Sequence, residues 1–325
     1  MVSVVLVLQA RGLGELLAAV PALRALRRAY PRHRIVLAAP ARLEQVVDLT
    51  GAVDELVPTA DPAALLWDRT SPELAVNLHG NDVASARALA DTQPGRVIGF
   101  RTKGWPKPSG PRWDPECHIV DRWCGLLEAE GIAADRRNLG LVPPVASISR
   151  RDCVVVHIGA GAPARRWPAE RFAAVIRHLL VLDRSVVVTG DAFERDIAMQ
   201  VAKQAGLPDD RVLAGRQTLS DLAATVAEAA LVISGDTGVA HLATAFGTRT
   251  VLLFGPTPPR LGGPPTHLLG RHAVLWTGQT GDPDGLTPDE GLLRIGAREV
   301  IAATDAQLSK HEGAESTRSR YRRVG

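Results

Sequence analysis

A strand–turn–helix–strand segment, residues 231–259, has the pattern with the clearest chemical meaning in this chain. An apolar run predicts a buried strand over residues 231–233. A helix is predicted over residues 237–246, with Asp236 at its N-cap and Gly247 directly after its last residue. The free N–H groups at the start of such a helix all point toward one place and attract phosphate there.

The candidate phosphate ligands lie around the first turn of that predicted helix. Asp236, Thr237 and Gly238 form the turn, and His241 lies one helical turn further along and can face the same point. An ordinary α/β crossover with a capped helix has the same spacing, so this segment by itself leaves both interpretations open.

A second candidate site follows the first predicted strand, where Gly12 and Gly14 form a turn into a helix. A dinucleotide-binding fingerprint would have a third glycine where Leu17 stands and an acid after the second strand, which instead runs into Ala-Ala-Pro. A nicotinamide-dependent oxidoreductase is therefore disfavoured. Glu15, on the first turn of the helix, is suited to act as a general base toward a hydroxyl group. Its alternative role is to complement the helix dipole.

A third candidate site is a Gly/Ala/Pro loop that ends in Arg165 and Arg166, directly before a helix opened by Pro168. Two adjacent guanidinium groups beside a helix N-terminus can clamp a diphosphate. A solvated basic pair is the alternative interpretation.

Acidic residues follow another predicted strand, and one acid at a strand's carboxyl end commonly binds ribose hydroxyls. Asp191, Glu194 and Asp196 are the candidates, and ordinary acids at a helix start account for two of them. A late Asp-x-Asp pair, Asp282 and Asp284, would hold a metal ion in some sugar transferases. Because it lies between Gly and Pro with no strand before it, we predict a turn and no metal site.

Strand and helix patterns alternate along the whole chain, which is typical of parallel sheets covered by helices. The first predicted helix covers residues 15–30. A Pro/Ser/basic stretch at 142–152 predicts a linker between two doubly wound domains, 1–145 and 152–305. Ligands of such folds bind at the carboxyl ends of the strands, here in a cleft between the domains. Residues 306–325 lack apolar periodicity and are predicted to be disordered.

Composition narrows the function classes. A chain of 325 residues with 46% hydrophobic residues can form two cores, and its net charge of +3 is scattered, which disfavours nucleic acid as a partner. The three cysteines lack metal-site spacing and indicate reduced thiols in a cytoplasmic protein. Without an apolar run of membrane-spanning length, only peripheral membrane attachment is left open, through the arginines between residues 24 and 34.

Together these motifs resemble the ADP-heptose:lipopolysaccharide heptosyltransferase family, glycosyltransferase family 9. The resemblance extends over residues 4–303 and is carried by GLGELLAAVPALRAL near the start, LAVNLHG at 74–80, H-x-GA and RRWP in the middle, and SGDTGVAHLATAFGT followed by FGPT. It implies an α/β GT-B fold, with two Rossmann-like domains facing each other across a cleft. The N-terminal domain would bind the acceptor and the C-terminal domain the nucleotide sugar.

The resemblance further implies an inverting, metal-independent transfer of a heptose or related sugar, without a cofactor. The donor would be an ADP-sugar, most simply ADP-heptose, and the acceptor a hydroxyl of a glycan or glycolipid, which leaves peripheral inner-membrane association open. Glu15 would be the general base, where the family commonly has Asp, and Glu194 is favoured as the ribose ligand. The donor diphosphate would be bound by second-domain residues: Arg165 or Arg166, Asp236, Thr237 and Gly238, with His241 nearby.

Two alternatives use a related fold or site. A GT-B enzyme acting on a UDP- or GDP-sugar is one, either a transferase or a non-hydrolysing epimerase. The epimerase would have a cluster of carboxylates and histidines, which Glu15, His79 and His241 match poorly. The other is a catalytically silent protein that binds a nucleotide sugar.

Overall fold

Two five-stranded sheets, each with all its strands parallel, form the core of the chain. The computed structural model describes the backbone of residues 3–105, 110–145 and 150–322, with side chains up to residue 313. Helices connect the strands in both sheets. The predicted α/β class is therefore confirmed.

The chain divides into two compact units, Met1–Val142 and Pro143–Gly325. This division lies at the start of the stretch predicted as a linker, of which residues 146–149 are outside the described part. In the described part of the chain, no helix is both long and apolar enough to cross a membrane.

The first unit has the strand order β3-β2-β1-β4-β5, so its first strand is central. Strand β1 pairs with β2 on one side and with β4 on the other. The elements are β1 Val4–Leu8, α1 Leu13–Ala18, α2 Val20–Ala29, β2 Arg34–Ala39, α3 Glu44–Val47, β3 Glu55–Pro58, β4 Leu74–Asn77, α4 Val83–Asp91, β5 Arg96–Ile98 and α5 Ile119–Glu128.

The single helix predicted over residues 15–30 is two helices, α1 and α2, that meet at Ala19. Pro21 lies in the first turn of α2, where its missing N–H breaks no helical hydrogen bond. In one continuous helix, Pro21 would leave the Leu17 carbonyl without its partner, so the chain restarts the helix instead. The apolar spacing continues across the break, which is why the sequence pattern did not reveal it.

The second unit has the strand order β10-β9-β8-β6-β7. Strands β6 and β7 are rich in valine and buried along their whole length, as expected for a parallel sheet covered on both faces. The elements are β6 Val154–His157, α6 Ala169–Val181, β7 Val186–Thr189, α7 Arg195–Ala205, α8 Leu219–Glu228, β8 Leu231–Gly235, α9 Gly238–Phe246, β9 Thr250–Leu253, α10 Pro259–Gly262, β10 His272–Leu275, α11 Glu290–Arg294 and α12 Ala297–Arg322.

The last helix corrects the expectation of a disordered segment from residue 306 onward. Helix α12 continues to Arg322, and its residues Val300, Thr304 and Leu308 are buried at four-residue spacing. This is one face of a helix, and Leu308 belongs to the core of the second unit. Because the middle member of the stripe is a polar Thr, the apolar periodicity is hidden in the sequence. Residues 323–325 lie outside the described part.

Candidate nucleotide-sugar site

The carboxyl edge of the second sheet brings together three predicted site segments. Strand β6 lies between β8 and β7, so the loops after β6 and β8 leave the sheet in opposite directions. Open parallel sheets bind ligands in the crevice that forms at such a switch point. The strand register aligns His157, Thr189 and Ser234 as neighbours at this edge.

The loop after β6 lies against the end of β8. A β-carbon built on Gly235 would lie 3.4 Å from the carbonyl oxygen of Arg165. The structure therefore brings the predicted arginine pair next to the predicted phosphate-binding turn, although about 70 residues separate them in the chain. Apolar strands on either side of each loop create this proximity, since they fix both loops to one edge of the sheet.

The N-terminus of α9 begins one residue later than predicted. Thr237, not Asp236, has the N-cap position, and Gly238 is the first helical residue. The Thr237 side chain makes no capping hydrogen bond, and its Oγ1 instead lies 2.9 Å from the Oγ of Ser234. Thr237 thus leaves the first-turn N–H groups uncapped, which is the arrangement that suits an anion. The predicted end of the helix at Gly247 is confirmed by its left-handed backbone, with φ of 69°.

The two arginines have different surroundings. Arg165 ends a short 3-10 turn and is half-buried, and its buried Nε has no hydrogen-bond partner among the described residues. Arg166 is exposed, and its Nε donates to the Ala160 carbonyl oxygen at 3.3 Å. A guanidinium group with an unpartnered buried donor is costly unless a ligand or water completes it, so Arg165 is the better placed of the two to accept an anion.

The Glu194 side chain is hydrogen-bonded to the loop after β6, which carries these arginines. Its carboxylate accepts hydrogen bonds from the backbone N–H groups of Ala160, at 3.0 Å, and Asp191, at 2.8 Å. Burial raises the pKa of Glu194, while the same N–H donors and Arg166 oppose that rise. Of the three acids proposed for ribose, Glu194 is the one built into the site. Asp191 and Asp196 are exposed.

A cavity of about 710 Å³ opens beside Glu194, between the N-terminal ends of α6 and α7. Its wall combines one cationic and three acidic side chains with a larger apolar surface, as small-molecule sites commonly do. The charged members are Arg166, Asp191, Glu194 and Asp196, and the apolar members include Trp167, Phe172, Phe193, Ile197 and Pro288. Phe193 is a member that the sequence patterns did not indicate.

His241 and the Asp-x-Asp pair are the remaining candidates from the sequence. His241 is half-buried and lies in the second turn of α9, as predicted. The N–H of Asp284 donates to the Asp282 carboxylate at 3.0 Å, so this pair forms the predicted turn. In the portion of the chain that the structure describes, no group of three or more His, Cys, Asp or Glu residues could hold a metal ion.

The first unit has its own candidate site at the switch point beside β1. Gly12 is the N-cap of α1, Gly14 follows within the helix, and Glu15 is half-buried on its first turn. A β-carbon on Gly12 would lie 3.3 Å from the Glu15 Oε2. The Glu15 carboxylate therefore lies against the glycine turn, where a side chain at position 12 would crowd it.

The loop after β4, which carries the end of the LAVNLHG motif, places His79 near Glu15. The Nε of Arg11 donates to the His79 carbonyl oxygen at 2.7 Å, which ties the loop after β1 to the loop after β4. Burial lowers the pKa of His79, and the nearby Arg11 lowers it further. An arginine three residues after the end of the central strand β1 was the available sequence signal for this contact.

The comparison with known families decides the classification. The model of Glycosyltransferase family 9 (heptosyltransferase) matches residues 115–275, which include α6, Glu194 and the α9 turn. The chain belongs to glycosyltransferase family 9. Glu15 and its glycine turn lie outside the matched segment of this family-9 protein.

Relatives of this family-9 protein support the same assignment. It is similar to lipopolysaccharide heptosyltransferase 3 of Escherichia coli, with 29% identity over 153 residues, which are 43% of this chain and 45% of the relative. The alignments with the first curated heptosyltransferases each span less than half of the relative's length.

Solved structures show the fold of this family-9 protein. The glycosyl transferase family 9 structure from Veillonella parvula DSM 2008 has a TM-score of 0.79 and 23% identity, covering 95% of this chain and 98% of that one. The Escherichia coli ADP-heptose LPS heptosyltransferase II has a TM-score of 0.76 and 21% identity, covering 95% and 99%. The predicted GT-B fold class is therefore confirmed.

Proposed function

We propose that this family-9 protein transfers a heptose, or a related sugar, from an ADP-sugar to a hydroxyl group of a glycan or glycolipid. The names of its relatives support a heptosyl donor, since one of them is an ADP-heptose heptosyltransferase. The carrying observation is the meeting of Arg165, Glu194 and the uncapped first turn of α9 at one sheet edge. This combination suits a nucleoside diphosphate.

In this proposal, the second unit stabilises the leaving group. When the bond between the sugar's anomeric carbon and the diphosphate breaks, negative charge increases on the departing phosphate. Arg165, Arg166 and the N–H groups at Thr237 and Gly238 can neutralise that charge, with Asp236 and His241 completing the turn. Because these groups supply the positive charge, we propose that transfer needs no metal ion. A chelator such as EDTA should then leave the rate unchanged.

Glu15 of the first unit is the proposed general base. Its carboxylate would take the proton of the acceptor hydroxyl as that oxygen forms a bond to the anomeric carbon. Attack on the face opposite to the diphosphate inverts the configuration at this carbon. Glutamate is longer by one methylene than the aspartate that the resemblance implies at this position, so the acceptor hydroxyl should lie correspondingly further from α1.

We further propose a cytoplasmic enzyme that reaches a glycolipid acceptor at the inner membrane. The arginines between residues 24 and 34 contribute little support, because most of them bind groups of their own unit. Arg24 donates to the Thr50 and Asn138 carbonyl oxygens at 3.0 Å each, and Arg34 pairs with Glu55 at 3.0 Å. Co-sedimentation with anionic vesicles would test the association. Protein that stays entirely in the supernatant would contradict it.

Calorimetric titration with ADP-heptose, ADP, UDP, GDP and NAD tests the donor assignment. We expect ADP and ADP-heptose to bind most tightly, and ADP-heptose to be consumed when an acceptor is supplied. Preference for UDP or GDP would reassign the donor within the same fold. Binding of ADP-heptose without transfer or hydrolysis under any acceptor condition would indicate a silent binding protein. No nucleotide binding at all would overturn the proposal.

A further inference from the structure

Phe193 is the most exposed large apolar side chain that the structure describes in the second unit, with 97% of its surface accessible. It lies in the loop between β7 and α7 and directly precedes Glu194. A phenylalanine is rarely left without contacts at a sheet's ligand-binding edge, since apolar surface gains free energy when it is covered. Its position there indicates that a ligand covers it.

The cavity beside Phe193 limits what that ligand can be. Phe193 and Pro288 both belong to its wall, and Pro288 lies in a loop tied to the Ala164 backbone by the N–H of Asp289, at 3.1 Å. A volume of about 710 Å³ is in the range of sites for small molecules and cofactors. The wall that Phe193 and Pro288 contribute is apolar, so the part of the ligand that lies there should be apolar or aromatic.

The charges around the cavity give the ligand an orientation. Arg166 is the cationic member of the wall, whereas Asp191 and Asp196, which flank Phe193 in sequence, are acidic. The acidic side repels phosphate and favours groups that donate hydrogen bonds. A nucleotide fits this pattern when its diphosphate lies toward Arg166, its ribose near Glu194, and its base toward Phe193.

We propose that Phe193 is the stacking platform for the nucleobase of the donor, and that Asp191 and Asp196 favour a base with an exocyclic amine. This inference rests on the proposed function and adds the subsite for the base. Adenine, guanine and cytosine carry such an amine, and uracil does not. A base that stacks on the phenyl ring buries one face of each ring. Stacking of a base on an aromatic side chain is tolerant of base type.

Substitution of Phe193 tests the platform by calorimetry with ADP, ribose 5-phosphate and pyrophosphate as ligands. Phe193→Ala should weaken ADP binding about tenfold, because one base–aromatic stack contributes that much. Ribose 5-phosphate and pyrophosphate lack a base and should bind as they do to the wild type. Phe193→Trp should keep the affinity for ADP, and Phe193→Leu should lose most of it, since leucine is apolar but not planar.

Val181→Ala is the matched control, because Val181 is 84% exposed in the same unit but lies at the far end of α6. It should leave ADP affinity unchanged. Unchanged ADP affinity in Phe193→Ala would overturn the inference, as would an equal loss for ribose 5-phosphate. Wild-type protein that binds no nucleotide would instead contradict the proposed function, so the two failures are distinguishable. Wild-type affinity for UDP equal to that for ADP would overturn the role of the two acids.

Discussion

Gly159 and Glu194 fit together so closely that no other residue can replace the glycine without moving the carboxylate. A β-carbon on Gly159 would lie 2.5 Å from the Glu194 Cδ and closer still to both carboxylate oxygens. The same carboxylate accepts the N–H of Ala160, the next residue of the loop. Glu194 therefore positions the loop that carries the arginine pair, in addition to its proposed contact with ribose.

Gly159→Ala should destabilise the second unit and weaken donor binding. The added methyl group forces Glu194 away and breaks its hydrogen bond to Ala160, and overpacking of this kind costs roughly 1–3 kcal/mol. Urea unfolding measures the loss of stability, and titration with ADP measures the loss of affinity. Gly296→Ala is the matched control, since a β-carbon there meets nothing within 4 Å.

A double-mutant cycle shows whether Glu194 is the cause. In Glu194→Ala the space beside Gly159 is vacant, so adding Gly159→Ala should cost much less than it does in the wild type. Equal costs in the two backgrounds would mean that the glycine is required for another reason, such as the loop's own backbone conformation.

Arg165→Ala should weaken binding of ADP and pyrophosphate ten- to a hundredfold, and binding of adenosine hardly at all. A charged hydrogen bond contributes about 1.5–3 kcal/mol, which corresponds to that range of affinity. Arg165→Lys should recover part of the loss, because it restores the charge but not the two-pronged geometry. Arg151, with 82% of its side chain exposed, supplies the control variant Arg151→Ala. A loss for adenosine equal to that for ADP would contradict a phosphate-binding role.

The sequence predicted most of the fold because its strands are short apolar runs bounded by glycine, proline and acidic residues. The same strand-ending residues also indicated the positions of the three loops at the carboxyl edge of the second sheet. The apolar pattern does not reveal a buried helix face that a polar residue interrupts, as Thr304 does in α12. It also does not reveal a helix break across which the apolar spacing continues, as at Pro21. Both errors have the same source: tertiary contacts, not local spacing, decide the outcome.

The details of the site were beyond sequence reasoning for a similar reason. Ala160, which donates to Glu194, lies 34 residues from it in the chain, and His79, which accepts from Arg11, lies 68 residues from that arginine. Nothing in local spacing indicates that a carboxylate is held by two backbone N–H groups, or that Phe193 is left uncovered. Residue types and the positions of strand ends were enough to predict the candidate site residues. The contacts of those residues depend on tertiary packing, which the sequence pattern does not contain.

His157 should make the second unit acid-sensitive. Burial lowers the pKa of His157 to about 4, from an ordinary value near 6.5, and its Nδ1 lies 3.0 Å from the Thr189 Oγ1. Between these two pKa values the unfolded chain binds a proton that the folded chain excludes, so stability falls as the pH falls through this window. The expected loss between pH 7.5 and pH 5 is roughly 2 kcal/mol.

Urea unfolding of wild type and His157→Asn at the two pH values isolates this contribution. The variant keeps a polar group near Thr189 but cannot titrate, so its stability should decline less on acidification. His267→Asn, at an exposed position, should follow the wild type. Parallel decline of wild type and His157→Asn would show that other groups cause the acid sensitivity.

Glu15→Gln should abolish most of the transfer activity while leaving nucleotide binding intact. The amide preserves the size of the side chain but cannot take a proton, and general-base catalysis typically contributes 10²- to 10⁴-fold to a rate. The rate of sugar transfer should fall by about that factor, whereas calorimetry should give the wild-type affinity for ADP, because the donor groups all belong to the second unit. Glu44→Gln, at an exposed position on α3 of the same unit, is the matched control and should keep full activity. Glu15→Asp should retain part of the rate, since the shorter carboxylate can still act as a base from one methylene further away. Full activity in Glu15→Gln would remove the carboxylate from the mechanism and direct the search for a base to the neighbouring loop after β4.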